Sequence, residues 1–280
     1  MSTYQKAREA LGLRLRELRR DARLTGQQLA DAHGWHRTKI PKIEGGKQTP
    51  SDADIEAWAT TCGVPEQVPE LIASLRALES HYIDYRRMFR AGMAPRQATF
   101  GEYEAAATTI RNFETCFVPG LLQTAEYAHY RLAEGRASHA APDDLDDAVA
   151  ARMARQQILY SGGRRFHFVV TEAVLTLRLC PVDTLVGQLE KLAVASTMRT
   201  IRFGVIPADA VYPVAPIHGF HIFDDQQVIA ETVAAALTIT QASEIEAYLS
   251  AFDQLAHVAV YGRDARAVIE RAVDDLAPNP

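Results

Sequence analysis

The sequence contains 280 residues, 48% of them hydrophobic and 23% charged, a composition that excludes a disordered or fibrous protein. No apolar run approaches the ~20 residues of a membrane span, and the first ten residues lack a signal-peptide core. Its three cysteines (Cys62, Cys116 and Cys180) have neither metal-ligand spacing nor the pattern of a disulfide framework. We therefore expect a reduced, cytoplasmic protein without a membrane partner, built as one large domain or two ordinary ones.

Charge is distributed unevenly along the chain, although the net charge is only −5. Residues 1–50 contain 11 Lys or Arg and 5 Asp or Glu, whereas residues 51–280 contain 19 and 30. A compact basic segment attached to an acidic body indicates a localised binding site for a polyanion. Charge alone leaves open the alternative of a solvated basic helix.

Apolar spacing and capping residues predict the first two helices. Segment 11–18 carries leucines at helical spacing, and its other faces carry arginines, which is typical of an amphipathic helix. Thr25 and Gln28 are spaced as the capping box of a second helix, and Gly34 can end that helix in a left-handed conformation.

A third helix should follow the glycine turn, with Ile40 and Ile43 in the core, and Pro41 constrains where it begins. With His36 as the N-cap, Pro41 would be the fifth helical residue and would cost roughly 3 kcal/mol. With Thr38 as the N-cap, Pro41 is the third helical residue, where the missing N–H has no intrahelical partner. We therefore predict Thr38 as the N-cap of this helix.

Two further helices are predicted to complete the N-terminal segment. Ser51 can cap the fourth helix, and residues 64–78 predict the fifth. The fourth helix should bury an apolar stripe made of Ile55, Trp58, Ala59 and Cys62. Among the single residues nearby, we expect Trp35 to be a core side chain and Glu44 to be a structural hydrogen-bonding carboxylate.

The stretch "LRELRRDARLTGQQLADAHGWHRTKIPKIEGGKQTPS" combines the Leu-Ala pair of the second helix, the turn glycine, two core isoleucines and a closing Glu, Gly, Lys and Pro. This pattern resembles the Cro/cI (Xre-type) helix-turn-helix domain over about 60 residues. The resemblance implies a five-helix, lambda-repressor-like domain. Its second helix would lie across a phosphate backbone and its third would enter the major groove of double-stranded DNA.

The same resemblance carries candidate DNA contacts over to individual positions. The candidate base readers are Arg37, Thr38 and Lys42. The candidate phosphate or flanking contacts are Thr25, Gln27, Lys39 and Lys47, and the candidate interface also includes Gln28 and His36. Two departures from the family pattern are Gly26, where the family often has a phosphate-contacting glutamine, and Pro41, where it has a small polar residue.

From about residue 80 onwards the sequence predicts an α+β domain whose strands lie in its second half. Helices are predicted at residues 81–92, 99–114, 124–133, 141–160, 182–196, 242–256 and 262–277. Strands are predicted at residues 164–172, 200–207, 219–225 and 226–234. The segments "VPGLLQTAEYA", "RMARQ", "EAVL" and "QLEKL" resemble the C-terminal domain of actinobacterial Xre-type regulators of the WhiJ-like kind. That resemblance implies transcriptional regulation, often with a small acidic partner protein.

The residues themselves predict no catalytic, metal or cofactor site in this region. The acidic run at 143–147 has the spacing of a charged helix start rather than a calcium loop, and the histidines lack zinc or nucleophile spacing. We interpret "VPGLLQT" as a rigid turn with a helix cap. Arg152 and Arg155 lie on one helical face, and we expect them to pair with Asp or Glu rather than to clamp a phosphate.

The combined prediction is a mainly α protein with a C-terminal α+β domain. Residues 1–78 would form the DNA-binding domain and residues 79–280 an effector or partner-binding domain. The leading hypothesis is a homodimeric transcriptional regulator that responds to a small-molecule effector or a small acidic partner protein. Two alternatives remain: an antitoxin-like interaction component with autoregulatory DNA binding, and an enzyme tethered to DNA.

Overall fold

The computed structural model describes the backbone of residues 3–84, 89–139, 141–233 and 235–276. The chain divides into two compact units, Met1–Tyr82 and Ile83–Pro280. Within the described ranges, no helix has the length and apolar character needed to cross a membrane.

Helices make up the first unit, and their ends follow the capping residues of the sequence. The helices are α1 (Thr3–Asp21), α2 (Gly26–Ala32), α3 (Lys39–Glu44), α4 (Asp52–Thr61) and α5 (Val68–His81), with a 3-10 turn at Pro65–Gln67 before α5. The predicted capping box of α2 is confirmed at Thr25 and Gln28, and Ser51 caps α4 in the same way. Gly34 has a φ of +64°, the predicted left-handed conformation after α2.

One apolar core holds these helices together. Its largest buried members come from every helix of the unit: Leu11, Leu15, Leu18, Leu29, Ile40, Ile43, Ile55, Trp58, Leu71 and Leu75. The indole N–H of Trp58 donates to the Leu15 carbonyl at 3.0 Å, so the buried ring also satisfies its polar atom. At Gly12, α1 approaches α3 so closely that an added Cβ would lie 2.4 Å from the Ile43 carbonyl oxygen.

The helix α3 begins where the sequence predicts, with Thr38 rather than His36 as its N-cap. Thr38 is the N-cap and Pro41 is the third residue of the helix, where its missing N–H leaves no broken bond. Thr38 does not cap with its side chain, however, and its backbone is already helical at φ −80° and ψ −11°. Its hydroxyl oxygen instead lies 2.9 Å from Nδ1 of His36.

The second unit is built on an eight-stranded mixed sheet with helices packed against it. Its strands are β1 (Tyr82–Asp84), β2 (Thr109–Glu114), β3 (Arg165–Thr171), β4 (Ile201–Ile206), β5 (Phe220–Phe223), β6 (Gln227–Glu231), β7 (Ala235–Ile239) and β8 (Val260–Tyr261). They lie in the order β1-β7-β6-β5-β2-β3-β4-β8. Strands β2, β3 and β4 are parallel, whereas β5, β6 and β7 continue the sheet antiparallel to their neighbours.

Helices cover both faces of this sheet. They are α6 (Met93–Ala106), α7 (Ala125–His139), α8 (Leu145–Arg155), α9 (Ala173–Thr176), α10 (Val182–Ala195), α11 (Ala242–Val258) and α12 (Gly262–Leu276), with 3-10 turns at Phe89–Ala91, Gly120–Leu122 and Gln156–Tyr160. On one face, α10 and α12 pack on Phe166 and Phe168 of β3. On the other face, α11 packs on Phe113 and Phe220. The sheet therefore separates two apolar cores.

Three sequence predictions for this unit are wrong. The helix predicted at 99–114 ends at Ala106, and Thr109–Glu114 forms β2, the strand between the parallel and antiparallel parts of the sheet. Ile110 and Phe113 have the i, i+3 spacing of a helix face, but they enter opposite cores because successive strand residues alternate. Consequently the strands are not confined to the second half of the domain.

The third error concerns the connecting helix predicted at 81–92. The chain there leaves α5 at His81, forms β1, and makes a 3-10 turn at Phe89–Ala91. Residues 85–88 of this prediction lie outside the described residues. A pairing strand therefore replaces at least part of the helix, since β1 lies beside β7 in the sheet.

The close approach of α3 to Gly12 predicts that a methyl group added at this position destabilises the first unit. Gly12→Ala places its Cβ against backbone, which cannot move aside, so the free energy of unfolding of the first unit should fall by ~1–3 kcal/mol. Both tryptophans of the chain lie in this unit, so urea unfolding followed by tryptophan fluorescence measures it.

Gly187→Ala is the matched control, because a Cβ on this residue of α10 meets nothing within 4 Å. It should leave the fluorescence transition of the first unit unchanged, and it should stabilise the second unit by ~0.5–1 kcal/mol, as alanine does in a helix interior. An unchanged midpoint for Gly12→Ala would contradict the close packing of α1 on α3.

Candidate nucleic-acid interface

The predicted DNA contacts lie in and around α2 and α3 and are mostly exposed. The exposed candidates are Thr25, Gln27, Gln28, His36, Arg37, Thr38, Lys42 and Lys47. Lys39 is half-buried. The opposite sides of both helices are committed to the core through Leu29, Ile40 and Ile43, which are at most 2% exposed. The core thereby fixes which side chains face solvent.

The start of α2 is held by hydrogen bonds among the candidate residues themselves. Gln28 Oε1 accepts from the backbone N–H of Thr25 at 2.8 Å, and Thr25 Oγ1 accepts from the N–H of Gln28 at 3.1 Å. Gln27 Nε2 donates to Asp31 at 2.7 Å. The departure at Gly26 has a steric role, because a Cβ there would lie 3.3 Å from Cγ2 of Ile40. A residue without a side chain therefore lets α2 pack directly on α3.

The exposed side of α3 is defined by helical geometry. Thr38 and Lys42 are one turn apart, on the side away from Ile40 and Ile43. Arg37 precedes the N-cap directly and is exposed. This leaves a guanidinium, a hydroxyl and an ammonium group at one exposed helix, the combination that can bond both base edges and phosphates.

Lys39 differs from the other candidates because it has partners inside the unit. Its ammonium Nζ lies 2.6 Å from Oδ1 of Asp54 on α4 and 4.3 Å from the ring centroid of Trp35. Burial alone would raise the pKa of Asp54, but hydrogen bonds from Lys39 and Ser51 outweigh it and lower the pKa below its usual value. Lys39 therefore connects α3 to α4.

Glu44 has the structural role predicted for it. Arg19 donates to both of its carboxylate oxygens, from Nε at 2.5 Å and from Nη2 at 2.9 Å. The two side chains are 12% and 10% exposed, so the pair is mostly enclosed. The bond from Arg19 also neutralises a carboxylate that would otherwise repel a phosphate.

Arg23 is a basic residue close to the predicted DNA contacts but not one of them. It follows α1, is exposed, and has a positive φ of 57°. Its position two residues before Thr25 brings its charge next to the start of α2. The only sequence signal for this role was the closeness of Arg23 to Thr25.

In the second unit, the prediction for the two arginines of α8 holds for one of them. Arg155 forms an ion pair with Glu104, as predicted. Arg152 instead donates to the amide oxygens of Gln97 at 3.1 Å and Gln123 at 2.6 Å, so the predicted carboxylate partner is wrong for this residue. Across the described parts of the chain, no three His, Cys, Asp or Glu side chains are grouped to hold a metal ion.

Comparison with known proteins agrees with the geometry of the first unit. A model described as a helix-turn-helix domain matches residues 10–71. An uncharacterized HTH-type transcriptional regulator, RghRB of Bacillus subtilis (strain 168), is 35% identical over 98 residues, which cover 35% of this chain and 66% of that protein. The first unit is therefore a helix-turn-helix domain, and these similarities support a DNA-binding transcriptional regulator.

The larger unit gives the family. The model described as domain of unknown function (DUF5753) matches residues 97–271, more than half of the chain, so the chain belongs to that family. No solved structure gives a significant match.

The contacts of Lys39 predict that its loss affects folding. Lys39→Ala should lower the free energy of unfolding of the first unit by ~1–3 kcal/mol at pH 7, because Asp54 loses a charged hydrogen-bond partner. The folded pKa of Asp54 is lowered, so this contribution is present above the unfolded pKa of ~3.9 and is lost as the pH falls through the folded value. The difference between wild type and Lys39→Ala should therefore shrink below pH ~4.

The exposed Lys42 supplies the control, since Lys42→Ala should change stability by less than ~0.5 kcal/mol. Urea unfolding followed by tryptophan fluorescence at several pH values measures both variants. Equal stability of the two variants at pH 7 would show that the contact between Lys39 and Asp54 contributes nothing.

Proposed function

We propose that this protein is a sequence-specific DNA-binding transcriptional regulator with a Cro/cI-like, lambda-repressor-like first unit. The observation that carries the proposal is the exposure of eight candidate contact residues around α2 and α3, on helices whose other sides are fixed in the core. A rigid support is what base recognition requires, because bidentate contacts discriminate only when their geometry is held.

Three residues of this surface are assigned to base reading. Arg37, Thr38 and Lys42 lie at the start and on the exposed side of α3, the helix that would enter the major groove. Arg37 can donate two hydrogen bonds to a guanine, and the Thr38 methyl can contact a thymine. Pro41 is also exposed on α3. Its ring limits where this helix can begin, but it does not displace the three side chains proposed to contact bases.

The remaining candidates are assigned to phosphate binding and support. Thr25, Gln27 and Lys47 would contact the backbone, and we add Arg23 to this group. Gln28 and His36 would contribute mainly by fixing Thr25 and Thr38, to which they are hydrogen-bonded. Lys39 orients α3 through Asp54, so its contribution to DNA binding would be indirect.

The second unit is proposed to receive a signal rather than to bind DNA. From residue 77 onward the chain has 18 Lys or Arg against 25 Asp or Glu, and this negative balance disfavours a polyanion. We propose that this unit binds an effector or a partner protein, in the manner of the WhiJ-like regulators. The whole protein would act as a homodimer, because one helix-turn-helix module covers only a half-site.

Two substitutions separate base reading from phosphate binding. Arg37→Ala should weaken binding to the specific site by ~1–3 kcal/mol and relax specificity at one base pair. Lys47→Ala should weaken binding to specific and random DNA alike and reduce the slope of log K against log salt by about one unit. Footprinting of the protein's own promoter region supplies the site, and fluorescence anisotropy across a salt series measures the affinities.

Arg263→Ala, a change at an exposed arginine of the second unit, is the control and should leave both affinities unchanged. Equal losses on specific and random DNA for Arg37→Ala would remove this residue from base reading.

The division of roles predicts the behaviour of a fragment. Residues 83–280 should unfold cooperatively on their own, because nearly the whole sheet and the apolar cores on its two faces lie within this segment. The fragment should not shift DNA in a gel at ~150 mM salt, whereas the full chain should. A fragment that binds as tightly as the whole protein would contradict the proposed roles of the two units.

A further inference from the structure

Arg152 of α8 is a charged residue whose described hydrogen-bond acceptors are both neutral amide groups. Its guanidinium Nε donates to Gln97 Oε1 and its Nη1 donates to Gln123 Oε1. Both glutamines are nearly inaccessible, at 1% and 2% exposure. These amide oxygens accept from two of the five N–H donors of the guanidinium, but they do not neutralise its charge, and no carboxylate of the described residues forms an ion pair with Arg152.

The neighbouring charges do not balance Arg152 either. Arg155 lies one turn away, binds both oxygens of Glu104, and also donates to Gln97 Oε1 at 2.5 Å. We call these five residues the arginine cluster: Gln97, Glu104, Gln123, Arg152 and Arg155. The cluster contains two guanidinium groups and one carboxylate, which Arg155 binds, so one positive charge is uncompensated.

The face of the sheet next to this cluster is also polar. Asn112 and Glu114 of β2 and His221 of β5 lie on the same side of the sheet, since Asn112 and His221 are paired in register. The ring of Phe100 connects them to the cluster, because it lies 5.1 Å from the His221 ring and 5.1 Å from the Arg155 guanidinium. Asn112 Oδ1 is buried without a hydrogen-bond partner.

These groups do not supply the missing negative charge. Burial raises the pKa of Glu114 to about 8, so this carboxyl is mostly protonated at neutral pH. Burial, together with Arg155, Arg96 and Arg152, lowers the pKa of His221 to about 3, so this ring is neutral. Burial and the positive charges of Arg155, Arg96 and Arg131 lower the pKa of Arg152 to about 9, so its charge is disfavoured but still present at pH 7.

From the geometry we infer that the arginine cluster is the binding site for a small oxyanion, a carboxylate or a phosphate group, with Arg152 as its principal contact. A mostly buried charge without an opposite charge is costly, and a bound anion removes that cost. Arg152 is of intermediate exposure as a residue, so the cluster lies at the edge of the core. The 3-10 turn at Gly120–Leu122 borders the site, since a Cβ on Gly120 would lie 3.9 Å from Nε of Arg152.

This site deepens the proposed function, because it would give the effector-binding unit a defined ligand class. The oxyanion could regulate DNA binding only if its affinity differs between two states of the protein. Binding of the anion itself requires no DNA, so it can be tested separately from that function.

The test uses the full chain and two probes, inorganic phosphate and acetate, each titrated against sodium chloride at equal ionic strength. Thermal unfolding monitors binding, because a ligand at ten times its Kd should raise the Tm by ~3–6 °C. Phosphate or acetate should raise the Tm beyond chloride, and the probe with the lower Kd identifies the class of oxyanion. Arg152→Gln should abolish the anion-dependent increase.

Arg37→Ala is the matched control, because it removes an arginine from the proposed DNA interface, where phosphate could also bind. The increase in Tm should persist in this variant. If Arg152→Gln does not fold, Arg152→Lys replaces it and should weaken the Kd at least ~10-fold, since an ammonium lacks the planar donor pair. The inference fails if neither probe exceeds chloride, or if the Arg152 variant responds like wild type.

The regulatory role is tested by a separate measurement. DNA affinity of the full chain is measured with and without the stabilising anion. An anion that binds at Arg152 without changing DNA affinity would confirm the site and contradict its link to regulation. Absence of anion binding in a protein that still binds its operator would reject the site alone.

Discussion

Close contact between α1 and α3 is the constraint on which the first unit depends. Because Gly12 has no side chain, the backbones of the two helices can approach closely. At the end of α3, Arg19 of α1 donates a hydrogen bond to the carboxylate of Glu44. A helix of six residues is too short to be stable by itself, so its direction is defined by these contacts and by its packing on α2. The exposed side chains of α3 are therefore oriented by residues that DNA would never touch.

Much of the first unit could be predicted from the sequence because its signals are local. A capping box involves residues three positions apart, and Thr25 with Gln28 or Ser51 with Asp54 specifies a helix start without any distant partner. The strand β2 had no such signal. Its partners β3 and β5 are distant in sequence, and their hydrogen bonds override a spacing that favours a helix.

The candidate site shows the same limit at the level of single side chains. Lys39 and Lys42 are both basic residues of α3, and only the position of Asp54 on another helix separates their roles. Arg152 and Arg155 are likewise two arginines on the same face of α8. Glu104 of α6 accepts hydrogen bonds from Arg155, whereas Gln97 of α6 accepts from both arginines. Residue type and spacing therefore predicted which basic side chains lie together on a helix. The packing of other helices determines which of these charges are paired within the protein and which can bind a ligand.

The position of β2 in the sheet has a consequence for synthesis of the chain on the ribosome. β2 hydrogen-bonds to β3 on one side and to β5 on the other, and β5 ends only at Phe223. The middle of the sheet therefore cannot close until most of the chain has emerged, while the contacts of the first unit lie within its own 82 residues. Since local contacts form faster than distant ones, the helix-turn-helix unit should be folded while the sheet is still an open set of strands with exposed edges.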